Sequence, residues 1–320
     1  MRLKNYFILT FFIICSSDCY SQAEDSTMSG LSPDSGGSPL SNTNITLTSY
    51  FQLLKGNFIQ QAFVPFQMSN RERLQFAGFA VGVAGVMTLD KPINRVALRL
   101  HEKSGAVKTV SPLVTKFGGR YALFTMIGIG SWSYVFKNQK LTNTTLLATQ
   151  SYITSGIWVS VLKFVSGRER PSFYDPQSGQ NRGLWHGMFF QFKKDASGNK
   201  PNGGQYSSFP SGHAAAAFSI ATVYAEMYKD KPWVPVLSYT SASLIGLSRV
   251  TESRHWASDV LVSAALGYLC GKQVVRNFHR LERLSSITRR KKNVLSYNIN
   301  FINGTVMPEL VYRFRWQKDL

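Results

Sequence analysis

Residues 213–228 read His-Ala-Ala-Ala-Ala-Phe-Ser-Ile-Ala-Thr-Val-Tyr-Ala-Glu-Met-Tyr. Four consecutive alanines, followed by apolar residues without strict alternation, favour a helix, because Ala gives up no side-chain entropy when the helix forms. Pro210-Ser211-Gly212 stands immediately before this run, and a Ser at that place can cap a free backbone N–H. Five other apolar stretches, 74–89, 121–136, 142–165, 233–248 and 256–275, are mostly helical in pattern, with Ala, Leu and Gly in excess over sheet-core residues. The expected fold is all-α, a compact bundle with about six core helices between residues 49 and 285.

The same stretches raise the question of a membrane. The uncharged runs 74–89, 121–136 and 233–248 are each 16 residues long, where a span takes about 20. The longer stretch 142–165 carries Thr149, Gln150, Ser151, Thr154 and Ser155. A soluble or membrane-associated bundle is the preferred reading, with an integral multi-pass protein as the alternative.

Outside the bundle the composition is ordinary except for charge. The 320 residues are 44% hydrophobic with a mean hydropathy of −0.10, which excludes a disordered chain. Lys and Arg number 36 against 17 Asp and Glu, a net charge of +19, so the partner or substrate is expected to be an anion. Cys15 and Cys19 lie near the N-terminus and leave Cys270 alone in the body, so neither a disulfide framework nor a cysteine zinc site is expected.

Residues 1–21 read as a signal peptide: basic Arg2 and Lys4, an uncharged apolar run over 6–17, and small Cys19 and Ser21 before a cut at Gln22. That places the mature protein in the periplasm or cell envelope and argues against intracellular nucleic acid as its partner. Residues 22–48, rich in Ser, Gly, Pro, Thr and Asn, read as a flexible linker. Beyond the bundle, 272–292 hold eight Lys or Arg against Glu282, which suits a solvated helix end or an anionic membrane surface. In the final segment, 286–320, Leu295, Tyr297, Ile299 and Phe301 alternate. Asn303-Gly304 is a hairpin turn, and Tyr312, Phe314 and Trp316 alternate again, so a small β-hairpin is expected.

Three blocks in the second half carry chemistry. They are Lys163-Phe-Val-Ser-Gly-Arg-Glu-Arg170-Pro171, then Pro210-Ser211-Gly212-His213, then Ser248-Arg249 followed by His255 and Asp259. His255 and Asp259 are four apart, so on a helix the carboxylate can take a proton from the imidazole and leave the other ring nitrogen as a nucleophile. Ser211 and Gly212 open a helix, where backbone N–H groups attract a phosphate oxygen. Lys163, Arg170 and Arg249 supply three cations for a phosphoryl group and the charge that develops on it. His101, His186 and His279 fit no block. Arg168 and Arg254 lie inside the blocks with no role that spacing assigns.

The pattern K-x6-RP, PSGH, SR-x5-H-x3-D resembles the phosphatidic acid phosphatase type 2 (PAP2) superfamily, which includes acid phosphatases and vanadium haloperoxidases. The resemblance covers mainly residues 163–259. It implies a phosphatase for phosphomonoesters or pyrophosphates, in which His255 forms a phosphohistidine, His213 is the acid and base, and Asp259 orients His255. Lys163, Arg170, Ser211, Gly212 and Arg249 would bind the phosphoryl oxygens. No metal or other cofactor is expected, and vanadate is expected to inhibit. The family context and the cationic, aromatic-bearing surface favour a lipid-linked phosphate. A broad-specificity soluble acid phosphatase and, more remotely, a vanadium-dependent haloperoxidase are the alternatives. The 38-residue connection from Ser172 to Phe209, lying between two blocks, is expected to wall the substrate or to add a helix to the core.

Overall fold

The computed structural model describes residues 45–173, 183–188, 190, 204–291, 295–302 and 305–312. Eight α-helices occupy these residues: α1 (Leu47–Phe63), α2 (Asn70–Lys103), α3 (Gly105–Gly118), α4 (Arg120–Val135), α5 (Gln139–Ser166), α6 (Gly212–Met227), α7 (Trp233–Thr251) and α8 (Ala257–Lys291). The all-α bundle is as expected. Six of the helices coincide with the six apolar stretches, while α1 and α3 add to them. The long α8 runs beyond residue 285 into the basic segment.

Local sequence sets several boundaries. Ser69 and Glu72 form a reciprocal capping box at the start of α2, each satisfying a backbone N–H of the other. Ser104 ends α2 and caps α3, so the chain turns between them on a single residue. Gly167 ends α5 in the left-handed region, φ 55° and ψ 33°, where a glycine carries no Cβ penalty.

The centre of the bundle is α6, packed against α8, α7 and α5. Its closeness to α8 comes from a run of small residues. Asp259, Ser263, Gly267 and Gly271 recur every four positions and so form one face of α8. A Cβ on Gly267 would collide with the Ala215 carbonyl oxygen, and one on Gly271 would stand 2.7 Å from Thr222 Cβ. Ser263 Oγ accepts from the Ser211 N–H at 2.6 Å. This seam brings the start of α6, carrying Ser211 and His213, against the start of α8, carrying Asp259.

Polar and apolar residues are distributed unusually. Asn143, Thr144, Thr145, Gln150, Ser151, Thr154 and Ser155 of α5 are buried, whereas Phe76 and Val81 of α2, Phe124 and Trp132 of α4, and Val236 and Leu247 of α7 are exposed. Some of these groups are paired across helices: Asn57 donates to Gln150 at 2.9 Å, and Gln150 donates to the Tyr50 carbonyl at 2.9 Å. Among the described residues one helix, α2, is long and apolar enough to cross a membrane, and only 11% of its most apolar stretch is buried.

At the C-terminus β1 (Leu295–Ile302) and β2 (Thr305–Tyr312) pair antiparallel, Leu295 opposite Tyr312 and Ile302 opposite Thr305. Residues 1–44, Asn303-Gly304, Phe314 and Trp316 lie outside the described residues, as do the signal peptide and most of the linker. The connection between α5 and α6 contributes a 3₁₀ turn (Pro171–Phe173) and the segments 183–188 and 204–211.

Candidate active site

The three sequence blocks meet around one short segment, Ser207-Ser208. Lys163, in the last turn of α5, donates from Nζ to the Ser207 carbonyl at 2.6 Å. Arg170 donates from Nη2 to Ser207 Oγ at 3.1 Å. The Ser208 N–H donates to the Arg168 carbonyl at 3.0 Å, and Arg170 N–H donates to the Gln205 carbonyl at 2.9 Å, so 204–208 is laced to the Lys163–Pro171 block by backbone bonds. Ser208 then accepts from the histidine of the third block: His255 Nδ1 lies 2.6 Å from the Ser208 carbonyl oxygen.

That last contact fixes the state of His255. A carbonyl oxygen only accepts, so Nδ1 carries the proton and Nε2 keeps its lone pair. His255 is 2% exposed. Burial, followed by the charges of Lys163, Arg170 and Arg249, holds its pKa well below the ordinary imidazole value. The result is a neutral imidazole among three cations, with one nitrogen positioned by the backbone and the other available as a nucleophile.

Asp259 does not hold His255 directly, contrary to the i,i+4 expectation. His255 lies in the turn after α7 rather than on α8, which starts at Ala257, and its Nδ1 is 3.9 Å from Asp259 Oδ2. The carboxylate accepts from Ser208 Oγ at 2.5 Å, from the Trp256 N–H at 3.0 Å, and from Arg168. It therefore orders the residue whose carbonyl orders His255. Its influence on the imidazole passes through Ser208.

His213 is the second residue of α6 and sits behind two glycines at the end of α3. A Cβ on Gly119 would stand 2.6 Å from His213 Nε2, and one on Gly118 would stand 3.3 Å from His213 Cβ. The same three cations act on this ring. Ser211 caps α6 through its side chain, accepting from the Ala214 N–H at 3.5 Å. The first N–H groups of α6, from Gly212 onward, have no carbonyl in a preceding turn to bond and can donate to an anion. Arg249 is 6% exposed and donates from Nη1 to Glu252 Oε2 at 2.8 Å and to Thr115 Oγ1 at 3.2 Å. Its Nε has no partner among the described residues.

All eight residues expected from the sequence thus occur in one cluster: Lys163, Arg170, Ser211, Gly212, His213, Arg249, His255 and Asp259. Sequence spacing missed several of their supports. Ser208, Thr115 and Gly119 lie outside the blocks and Glu252 at an unspecified position within the third, and their roles arise only when α3 and the 204–208 segment pack against the blocks. Arg168 and Arg254, indistinguishable by sequence, separate sharply: Arg254 is exposed, while Arg168 is 4% exposed and ion-paired. Trp185, on the connection between the blocks, stands with its ring 4.8 Å from the Arg168 guanidinium and 5.0 Å from Phe209. It is 44% exposed. His186 pairs with Glu169 of the first block at 2.9 Å, and His279 pairs with Glu282 at 2.9 Å, outside the blocks.

Known proteins resemble the part of the chain that carries the three blocks. A family model described as the PAP2 superfamily matches residues 144–283. A lipid A 1-phosphatase of Porphyromonas gingivalis is 49% identical over 74 residues, 23% of this chain and 17% of that protein. A probable diacylglycerol pyrophosphate phosphatase 1 of Schizosaccharomyces pombe is 30% identical over 164 residues, 43% of this chain and 56% of that protein. The matches therefore span less than two thirds of either relative. Among solved structures, LpxE of Aquifex aeolicus is 22% identical, covering 59% of this chain and 95% of that one, with a TM-score of 0.43. A transmembrane PAP2 type phosphatidylglycerolphosphate phosphatase of Bacillus subtilis is 19% identical, covering 72% and 96%, with a TM-score of 0.42. Residues 144–283, the part of the chain that resembles the PAP2 superfamily, hold every block of the motif and the seam between α6 and α8.

Proposed function

We propose that the chain is a metal-independent phosphatase that hydrolyses lipid-linked phosphomonoesters or pyrophosphates through a phosphohistidine on His255. The observation that carries this reading is the hydrogen bond from His255 Nδ1 to the Ser208 carbonyl, which leaves Nε2 as a neutral nucleophile among Lys163, Arg170 and Arg249. Nε2 attacks phosphorus, the P–O bond to the leaving group breaks, and His213, which takes up a proton together with the phosphate anion that offsets the three cations, gives that proton to the departing oxygen. His213 then takes a proton from water, and the hydroxide breaks the P–N bond. Inorganic phosphate leaves and the imidazole returns to its starting state. The three cations balance the charge on the equatorial oxygens throughout, and Arg249 can add its Nε donor.

Two observations support a lipid substrate. A row of polar side chains on α5 is buried, while large apolar side chains, Phe76, Val81, Phe124, Trp132 and Leu247, are exposed on α2, α4 and α7. That arrangement suits helices in contact with acyl chains. Both curated relatives are named for phosphates carried on lipids. On this reading the apolar helices lie in the bilayer, which departs from the preference for a soluble or membrane-associated bundle drawn from run length and the polar residues of 142–165. The export signal read in residues 1–21 places the site in the cell envelope.

The test is to purify the chain with and without detergent and assay phosphate release from phosphatidate, an isoprenoid diphosphate, a phosphorylated glycolipid and a soluble aryl phosphate. The reading predicts a detergent requirement, preference for lipid phosphates, full activity in EDTA and competitive inhibition by vanadate. Loss of activity in EDTA would refute the metal-independent mechanism. Activity on the aryl phosphate alone, without detergent, would refute the lipid assignment.

Gly119 offers a separate check on His213. Gly119→Ala would push a methyl into His213 Nε2, so the ring must move to make room. The expected outcome is a fall in kcat of about tenfold or more with little change in Tm, measured by steady-state kinetics and thermal unfolding.

A further inference from the structure

Helix α2 lies wholly outside the matched residues 144–283, yet it contributes two buried polar side chains to the site. Asp90 is 3% exposed and Asn94 is 5% exposed, and the remaining buried residues of α2, Val83 and Ala97, continue the same face. Asp90 Oδ2 accepts from Arg168 Nη2 at 2.7 Å and from Ser258 Oγ at 2.5 Å, while Oδ1 accepts from the Ser258 N–H at 2.9 Å. Arg168 bonds Asp259 through its other terminal nitrogen, Nη1, which also bonds Ser258 Oγ at 2.8 Å. One turn along α2, Asn94 Oδ1 accepts from Ser253 Oγ at 3.1 Å. Ser253 has φ 52°, a left-handed conformation that a non-glycine residue holds only with support, and it stands two residues before His255.

We infer that Asp90 and Asn94 are positioning residues for the nucleophile, and that α2 holds the turn bearing His255 at both ends. Asn94 fixes the turn where it leaves α7. Asp90 fixes Ser258 and Arg168 where it enters α8. From Asp90 the chain of contacts runs through Arg168 to Asp259, from Asp259 to Ser208 Oγ, and from the Ser208 carbonyl to His255 Nδ1. Arg168 is also enclosed by Trp185 and Trp256, whose rings lie 4.8 Å and 5.6 Å from its guanidinium carbon. Its two carboxylate partners neutralise it, so it adds no free cation to the phosphate pocket. It transmits position. Neither Asp90 nor Asn94 touches the reacting atoms, and their effect is to set the angle at which Nε2 meets phosphorus.

This inference rests on the proposed chemistry at His255, and its test separates the two. The full chain in detergent is assayed on phosphatidate in mixed micelles as wild type, Asp90→Asn, Asn94→Ala, Asp259→Asn and the Asp90→Asn/Asp259→Asn double variant. Asp90→Asn should lower kcat about tenfold or more with KM within about threefold. The double variant should fall within about threefold of Asp259→Asn alone, because both residues act through one chain of contacts. Asn94→Ala, which removes no charge, should lower kcat about fivefold with KM unchanged, and it decides the matter if Asp90→Asn does not fold. A purely structural role predicts lower Tm, unchanged kcat per folded enzyme and additive effects, and that result would overturn the inference. A wild type that releases no phosphate from any lipid or aryl phosphate would instead overturn the proposed function.

Discussion

Replacing His255 by Ala should lower kcat by about four orders of magnitude or more while leaving phosphate and vanadate binding measurable. No other group among the described residues of the cluster pairs a lone-pair nitrogen with a backbone bond that fixes its tautomer. The cations that bind the phosphoryl oxygens keep their own anchors: Lys163 and Arg170 on Ser207, Arg249 on Glu252 and Thr115. The pocket therefore survives the loss of the ring. Single-turnover kinetics with isothermal titration of vanadate check both halves of this expectation. Turnover that is unchanged in the variant would remove His255 from the mechanism.

His213→Ala should have the second largest effect, and its size should depend on the leaving group. With a lipid alkoxide, which needs a proton to depart, steady-state release should fall about a thousandfold. An aryl phosphate has a leaving group stable without a proton, so the first transfer should persist. Water activation would still fail. The variant should then release about one equivalent of phenol per site in a burst and stall as the phosphoenzyme. Rapid-mixing absorbance measures this directly. Equal losses on both substrates with no burst would mean that His213 serves binding rather than proton transfer.

Much of the fold was legible because the core helices carry long uncharged runs. The run at 213–228 is α6 almost residue for residue. Helix α1 escaped because Lys55, Asn57, Gln60 and Gln61 interrupt its apolar positions, and two of these turn inward to bond: Asn57 to Gln150, and Gln61 to Thr154 at 3.4 Å. Helix α3 escaped because Pro112 and two lysines break a short amphipathic stretch. Run length also pointed away from a membrane, since a count of apolar residues does not tell which way they face. The buried threonines and serines of α5 and the exposed aromatics of α4 become informative only once the bundle is assembled.

The site residues were legible for a different reason. Phosphoryl chemistry needs cations, a nucleophile and an acid in one place, and three short blocks carry them. Their mutual support was not. The i,i+4 spacing of His255 and Asp259 implies a direct contact only if both lie on a helix, and the turn at Ser253 takes His255 off it. Ser208 then inherits the role that spacing gave to Asp259. Asp90 is 78 residues from Arg168 and 168 from Ser258, and Asn94 is 159 from Ser253. No local pattern distinguishes them from the other polar residues of α2.

The central claim is the covalent step on His255, and trapping the intermediate tests it most directly. Enzyme mixed with lipid substrate bearing a labelled terminal phosphate is quenched within one turnover, digested at alkaline pH and mapped by mass spectrometry. The account predicts one phosphoryl group on the peptide containing His255, stable to base, labile to acid, formed in the presence of EDTA and absent from His255→Ala. A phosphoryl group on any other residue, or turnover with no trapped phosphoenzyme in wild type or in His213→Ala, would contradict it.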